Sequence, residues 1–287
     1  MAKIFQFLPL LFWAAFGFFL LYTLLETDFR PVGVILRSFA ATLRIARRWK
    51  ITLALFGLFG AAPIVAAVVL VVLKIHGQRA ILAGMLWQAA TAMTIAWIAT
   101  HIHQHTLILP SRDASAQRRY RLLSSAVGLA LFFFTVAYSI GSSIGIQLAH
   151  LQGRYGAVFW VQMAQTLLFV PMALIRPALS LGEKTPVRAA FGTAARSPML
   201  LFVWVTALAL PAIGFSWIGG DILKAHQSPV SEVVFLASKA LFNAIDCIFF
   251  ETTTLLLFAR ATGRLSMDWH ETYSDFSSGP LALSSEN

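Results

Sequence analysis

Long runs of apolar residues alternate with short basic segments along most of the chain. An α-helix rises about 1.5 Å per residue, so about 20 mostly apolar residues cross the hydrocarbon core of a bilayer. Seven stretches reach that length, and we expect each to be a membrane-spanning helix. The pattern therefore predicts an all-α, polytopic transmembrane helix bundle within residues 1–265. The predicted spans are residues 5–25, 51–73, 81–102, 122–148, 157–175, 199–218 and 240–259.

The composition agrees with a membrane protein. The chain has 287 residues, of which 58% are hydrophobic and 12% are charged, whereas soluble domains are about 25% charged. Its one cysteine, Cys247, excludes an internal disulfide and a cysteine-based zinc site. The net charge of +10 would indicate nucleic-acid binding in a soluble protein. Here the basic residues lie in short segments beside apolar runs, so membrane topology explains them and no nucleic-acid partner is predicted.

The basic residues fall mainly on one side of the predicted bundle. If the seven spans alternate in direction, 16 of the 22 Lys and Arg residues lie on one side and five on the other. Because Lys and Arg in short loops favour the cytoplasm, we predict the N-terminus outside and the C-terminus inside. The first span is an open point, since Lys3 lies beside it and Pro9 lies within it. If residues 5–25 are re-entrant, there are six spans and both termini are cytoplasmic.

Two basic segments predict amphipathic helices on the cytoplasmic surface, residues 31–50 and 185–197. In the first, Phe39 and Leu43 belong to an apolar face at helical spacing, while arginines occupy another face. The arginines either anchor the topology or bind anionic lipids of the bilayer. The candidate lipid-surface residues are Arg37, Arg44, Arg47 and Arg48. The acidic tail, residues 266–287, is predicted to be disordered in the cytoplasm.

The last predicted span contains ionisable residues, which are costly inside a bilayer and therefore usually have a partner or a function. Lys239, Asn243 and Asp246 share one stripe of this helix, whereas Glu251 is rotated off it and is predicted near the middle of the membrane. Two interpretations are open. These residues form a proton or cation site or a groove for a lipid headgroup, or a protonated Glu251 and a Lys239–Asp246 pair hold helices together.

A histidine-rich segment, HIHQH, ends the third predicted span. His101 and His105 are four residues apart and share a helical face, so they are weak candidates for binding a divalent metal. His103 is predicted to point away, and Asp113 is the one nearby acidic residue that could join them. A polar stop at the membrane interface explains the histidines equally simply. No phosphate-binding loop, nucleophile elbow or zinc-protease motif occurs, so no enzymatic activity and no cofactor are predicted.

The residues from Arg176 onward read RPALSLGEKTPVRAAFGTAARSPMLLFVW. A span ends in arginine, a short run of small and apolar residues follows at Leu179–Gly182, and an amphipathic helix at Ala189–Arg196 leads into the next span. Over residues 175–218 this resembles the bacterial integral-membrane family typified by the membrane domain of glycerophosphoryl diester phosphodiesterases. The chain differs in its additional first span and carries no phosphodiesterase barrel. The resemblance implies an accessory, membrane-embedded helical domain of a bacterial cytoplasmic membrane, without enzymatic activity.

The sequence thus leads to two functional predictions. The first is a non-enzymatic accessory or scaffold protein that interacts with lipids or with another membrane protein. The alternative is a small-solute or proton- or cation-coupled transporter that uses the ionisable residues of the last span. A lipid-modifying enzyme has the least support, because no catalytic motif accompanies the packing motifs.

Overall fold

The computed structural model describes residues 31–109, 113–152, 155–196 and 228–265. Within these ranges the chain is almost entirely helical, so the all-α prediction is confirmed. A π-helical turn, Gly57–Ala61, joins two of the helices end to end. In chain order the helices are α1 Pro31–Ala46, α2 Trp49–Phe56, α3 Ala62–Val72, α4 Gln78–Thr106, α5 Ala114–Gln152, α6 Tyr155–Ser180, α7 Pro186–Arg196 and α8 Pro229–Ala261.

Four of these helical stretches are long and apolar enough to cross a membrane. They are Trp49–Val72, Gln78–Thr106, Ala114–Ala137 and Val230–Ala261, and they correspond to the second, third, fourth and seventh predicted spans. The fifth predicted span falls within α6, which contributes a shorter apolar stretch, Leu168–Ser180. The first and sixth predicted spans and the tail lie outside the described residues. The total of seven spans and the orientation therefore stay predictions.

The turn between α2 and α3 brings α8 close. It comes just before Pro63, which lacks the amide hydrogen that would bond to the carbonyl of Phe59. Gly60 lies inside this turn, and a Cβ atom there would be 2.9 Å from the Cβ of Ala240 on α8. A larger residue at position 60 would push the two helices apart.

The pairing of α2–α3 with α8 sets the level of each residue along the bundle. Ala240 meets Gly60 in the middle of the Trp49–Val72 stretch, and Ala244 and Ile248 pack with Leu55 nearer its start. The two elements therefore run antiparallel. Glu251 follows Ala240 by about 16 Å along the axis, so it lies level with Trp49. We call this end of the bundle, which carries Arg44, Arg47, Arg48 and Arg176, the arginine-rich end. The level of Glu251 differs from the sequence prediction, which placed it near mid-membrane.

Among the residues that the structure describes, the buried apolar clusters lie at the arginine-rich end. One apolar cluster joins α1, the last turns of α6, α7 and the stretch Leu255–Ala259 of α8, and all five residues of that stretch are buried. A second cluster joins α1, α2, α4 and α8 around Ile45, Ile102 and Ile248. Towards the other end the helices are apolar but exposed, as at Val71 and Leu86. Such exposed apolar surface is suited to contact with lipid.

Helix α1 packs by its small side chains. Val34, Ser38, Ala41, Thr42 and Ile45 are buried, and α1 contacts α8. Phe39 and Leu43, which belong to the predicted membrane-facing stripe, are exposed. Helix α1 therefore has a buried face that the sequence pattern did not indicate, and its placement on the membrane surface stays a prediction.

Candidate functional site

The centre of the arginine-rich end is a buried ion pair between α6 and α8. Nη2 of Arg176 lies 2.7 Å from Oε1 of Glu251, and the two side chains are 9% and 3% exposed. A buried carboxylate is tolerated when it is paired and hydrogen-bonded, and a charge-assisted contact of this length is strong. The geometry therefore fits an ionised Glu251 held by a guanidinium, in place of the isolated protonated carboxyl considered from sequence.

His103, near the end of α4, is the second partner of this carboxylate. Its Nε2 lies 3.2 Å from Oε2 of Glu251, close enough for an ion pair but not aligned for a hydrogen bond. Its Nδ1 lies 2.5 Å from Oγ of Ser180. Because the Ser180 hydroxyl donates its single hydrogen to the backbone oxygen of Arg176, Nδ1 of His103 carries a proton and is the donor of this contact. His103 thus faces the packed interior, away from the face that carries His101 and His105, as the sequence pattern predicted.

Ser180, the last residue of α6, connects the network to α5. Its hydroxyl oxygen lies 2.6 Å from the hydroxyl of Tyr120 and donates to the backbone oxygen of Arg176 at 3.0 Å. Both side chains are buried. The network Arg176–Glu251–His103–Ser180–Tyr120 therefore joins four helices, α4, α5, α6 and α8, at one level of the bundle.

A serine, a histidine and a carboxylate in mutual reach have the membership of a hydrolytic triad. The geometry does not support that chemistry. Ser180 is fully buried, and its oxygen already contacts His103, Tyr120 and a backbone carbonyl. A nucleophile needs an open approach for the substrate, and this oxygen has none. The arrangement is suited to holding helices together and to moving a proton between its members.

Some buried polar atoms on Arg176 and on the two residues after Glu251 lack a hydrogen-bond partner within the described part of the chain. The hydroxyls of Thr252 and Thr253 and Nε of Arg176 are buried and have no hydrogen-bond partner within the described ranges. Thr254, by contrast, donates to the backbone oxygen of Phe250. Unsatisfied buried donors beside a carboxylate are uncommon, and ordered water or a bound ion is the usual companion of such groups.

The structure brings only one of the predicted last-span residues into this network. Lys239 is exposed, whereas Asn243 and Asp246 are half-buried. Within the described part of the chain, Lys239 and Asp246 form no ion pair with each other. The predicted stripe therefore does not act as a unit. The sequence analysis missed His103, Arg176, Ser180 and Tyr120 as site residues, although an arginine that ends an apolar run is a plausible partner for a carboxylate in another span.

The two histidines considered as metal ligands have other neighbours. The ring of His101 packs edge-on against Trp97 with centroids 5.3 Å apart, and the backbone oxygen of His105 accepts from Nη2 of Arg44 at 2.9 Å. Asp113 caps α5, since its Oδ1 accepts from the amide of Ala116 at 2.6 Å and from the Ser115 hydroxyl at 2.8 Å. Those hydrogen bonds lower the pKa of Asp113. Asp113 therefore does not complete a ligand set with the histidines.

The four arginines predicted to contact lipid lie on α1 and at the corner that follows it. Arg37 and Arg44 are half-buried, and Arg47 and Arg48 are exposed. Burial, and after it the charge of Arg48, lower the pKa of Arg44 from its ordinary value. This corner therefore brings several arginines close together.

Comparison of the chain with protein-family models, with curated proteins and with solved structures gives no match. The resemblance at residues 175–218 therefore stays a prediction. Of its elements, Arg176 and the α7 helix lie within the described structure, and Arg176 is the residue that pairs with Glu251.

Proposed function

We propose that the protein is a non-enzymatic multi-pass membrane protein that acts as an accessory or scaffold component and interacts with lipids. In this proposal the arginine-rich end is cytoplasmic, in keeping with the distribution of Lys and Arg. The buried network ties four helices into a rigid head on that face. The exposed apolar parts of α3, α4 and α8 lie in the bilayer, where they contact lipid or a membrane-protein partner.

One observation carries this proposal. Glu251, Arg176, His103, Ser180 and Tyr120 are all buried, and each contacts another member of the network. Their polar groups are thus directed at neighbouring helices. A structural network of this kind supports a scaffold role, since it gives the cytoplasmic face one fixed shape.

The alternative, a proton- or cation-coupled transporter, is favoured by a different observation. Thr252 and Thr253, the two residues after Glu251, have buried hydroxyls without a hydrogen-bond partner among the described residues, and Asp246 is half-buried on the same helix. Such groups can serve a coupled ion if the network opens during a transport cycle. The two proposals differ in whether the charges of Arg176 and Glu251 are needed for activity.

A double substitution separates them. Glu251→Gln alone leaves Arg176 buried without a counter-charge, and breaking a buried pair in this way costs about 3–5 kcal/mol. Replacing both residues, as Arg176→Met with Glu251→Met, removes the pair together and is often nearly neutral for stability. The three proteins are compared by thermal unfolding in lipid discs, by mass spectrometry of co-purified proteins and lipids, and by proton uptake into dye-loaded vesicles under a potassium diffusion potential.

For a scaffold we expect Glu251→Gln to be destabilised, and the double variant to recover stability and to retain the same co-purified components. Vesicles with the wild-type protein should be no more permeable to protons than empty vesicles. Proton uptake by the wild-type protein that disappears in the folded double variant would instead establish the transporter and overturn the scaffold proposal.

A further inference from the structure

A tight corner between α1 and α2 places several basic side chains beside the end of α4. The amide of Arg48 donates to the backbone oxygen of Ile45 at 2.8 Å, the amide of Ile51 donates to that of Arg48 at 3.0 Å, and the hydroxyl of Thr52 donates to that of Ala46 at 2.8 Å. The bond from Arg44 to the backbone oxygen of His105 attaches this corner to α4. The corner therefore has a defined shape and is not a loose loop.

A groove of about 400 Å³ lies between this corner and α4. We call it the α1–α2 groove. Four of its lining side chains are basic or can become so, and none of the described lining residues is acidic. The lining residues are Arg48, Trp49, Lys50, Ile51, His101 and His105.

Asp113 is the first acidic residue that follows Arg48 in the chain, and it does not neutralise the positive charge of the α1–α2 groove. Asp113 is occupied as the cap of α5. Two further acidic residues among those the structure describes at this end have partners of their own, since Glu251 is buried against Arg176 and His103 and Glu183 pairs with Arg264. Like charges instead crowd together at the corner, as the effect of Arg48 on Arg44 indicates. A phosphate, which accepts several hydrogen bonds from cationic donors, is the complementary ligand.

The surroundings of the groove indicate that this phosphate belongs to a lipid. Trp49 is 65% exposed and Leu53, one turn further into the candidate span, is 56% exposed. Trp97, also exposed, lies one turn from His101 on the membrane side. Tryptophan is typical of the membrane interface. A ligand in the groove would thus meet cations at its head and apolar surface at its tail.

We propose that the α1–α2 groove binds the phosphate headgroup of an anionic phospholipid, with Arg48 and Lys50 as its principal cationic contacts and the acyl chains running along Leu53. This deepens the proposed function, on which it rests, by naming the lipid class and the site. Of the four arginines predicted from sequence to contact lipid, Arg48 lines the groove. Lys50, His101 and His105, which were not among those four, line it as well.

The test uses the full chain in lipid discs made of phosphatidylcholine alone or with phosphatidylglycerol. Retained lipid is counted by native mass spectrometry after detergent release, and the melting temperature is measured in both discs. Arg48→Gln with Lys50→Gln removes the groove charges from exposed positions. The matched control, Lys184→Gln with Arg188→Gln, removes the same charge from exposed positions at and before α7 on the same end of the bundle.

We expect the wild-type protein and the control to retain phosphatidylglycerol and to melt higher in its presence, and the groove variant to bind it at least about tenfold more weakly. Equal retention by the groove variant and the control would overturn the proposal. Inorganic phosphate that raises the melting temperature in phosphatidylcholine discs as much as phosphatidylglycerol does would overturn the lipid source. Neither outcome depends on the proton-uptake assay, so failure of this site is distinguishable from failure of the scaffold proposal.

Discussion

At the scale of single residues, Ser180 is the point on which the buried network converges. Its hydroxyl contacts Tyr120 and His103, and it also bonds to the backbone of its own helix. Because all of these groups are buried, each depends on Ser180 for at least one hydrogen bond that water does not replace. The ion pair between Arg176 and Glu251 carries the charge, but Ser180 links that pair to α5.

Replacing Ser180 by alanine should therefore destabilise the protein more than the loss of a single hydroxyl group usually does. We expect Ser180→Ala to lower the free energy of unfolding by about 1–3 kcal/mol, since it removes the buried hydroxyl that both Tyr120 and Nδ1 of His103 contact. The measurement is unfolding by SDS titration in mixed micelles.

Ser38→Ala provides the matched control for Ser180→Ala. Ser38 is equally buried, but its hydroxyl donates to the backbone oxygen of Val34 within the same helix. Its replacement should change stability little, because alanine is the better helix former. Equal losses for the two substitutions would show that Ser180 does not link helices.

At the scale of elements, α4 and α5 approach closely where their small residues meet. A Cβ atom on Gly128 would collide with the Cβ of Ala96 and would lie 3.0 Å from the backbone oxygen of Ala92. The hydroxyl of Ser124 donates across the same interface to the backbone oxygen of Ala96 at 3.1 Å. Packing of small residues is the main source of helix association in a membrane, where lipid tails are as apolar as the side chains.

Gly128→Ala should consequently destabilise the α4–α5 pair by about 1–3 kcal/mol, as overpacking does in other close interfaces. Gly84→Ala, on α4 itself, is the control, because no atom lies within 4 Å of its added Cβ. That change should be neutral or stabilising by up to about 1 kcal/mol, since alanine favours the helix. Thermal unfolding of both variants in detergent checks this, and equal melting temperatures would contradict the close approach.

At the scale of the whole molecule, the end with the buried apolar clusters is the arginine-rich end. Buried charge, the apolar clusters and the basic corner all lie there, while the opposite end presents exposed apolar helices. The ends of α4 and α6 therefore have to lie on one side of the membrane for the network to form. This is a physical constraint on topology that is independent of counting Lys and Arg.

Labelling of single cysteines tests that constraint. In a Cys247→Ser background, Ala116→Cys and Lys184→Cys should react with a membrane-impermeant maleimide from the same side. His76→Cys, in the turn between α3 and α4, should react from the opposite side. All three positions are exposed. Labelling of positions 116 and 184 from opposite sides would be incompatible with the fold.

The sequence by itself indicated a membrane protein and predicted where its long apolar helices lie. Apolar runs long enough to cross a bilayer identify spans because unpaired backbone groups are intolerable in hydrocarbon, and four of the predicted spans coincide with such helices in the structure. The sequence also singled out Glu251, which in the structure forms the buried ion pair with Arg176. It did not indicate the partners of Glu251, because Arg176 and His103 lie far from it along the chain, and periodicity records only the face of one helix at a time.

Only the tertiary structure decided at which level of the bundle each polar residue lies and which side chains it contacts. The contact of Ala240 with Gly60 places Glu251 level with Trp49, where the sequence had it in mid-membrane. The packing of α4, α5, α6 and α8 brings Glu251 into one buried network and leaves the predicted stripe of Lys239, Asn243 and Asp246 outside it. Hydropathy fixes which segments enter a bilayer, whereas the relative sliding of helices depends on the fit of individual side chains, and that fit exists only once the helices are packed.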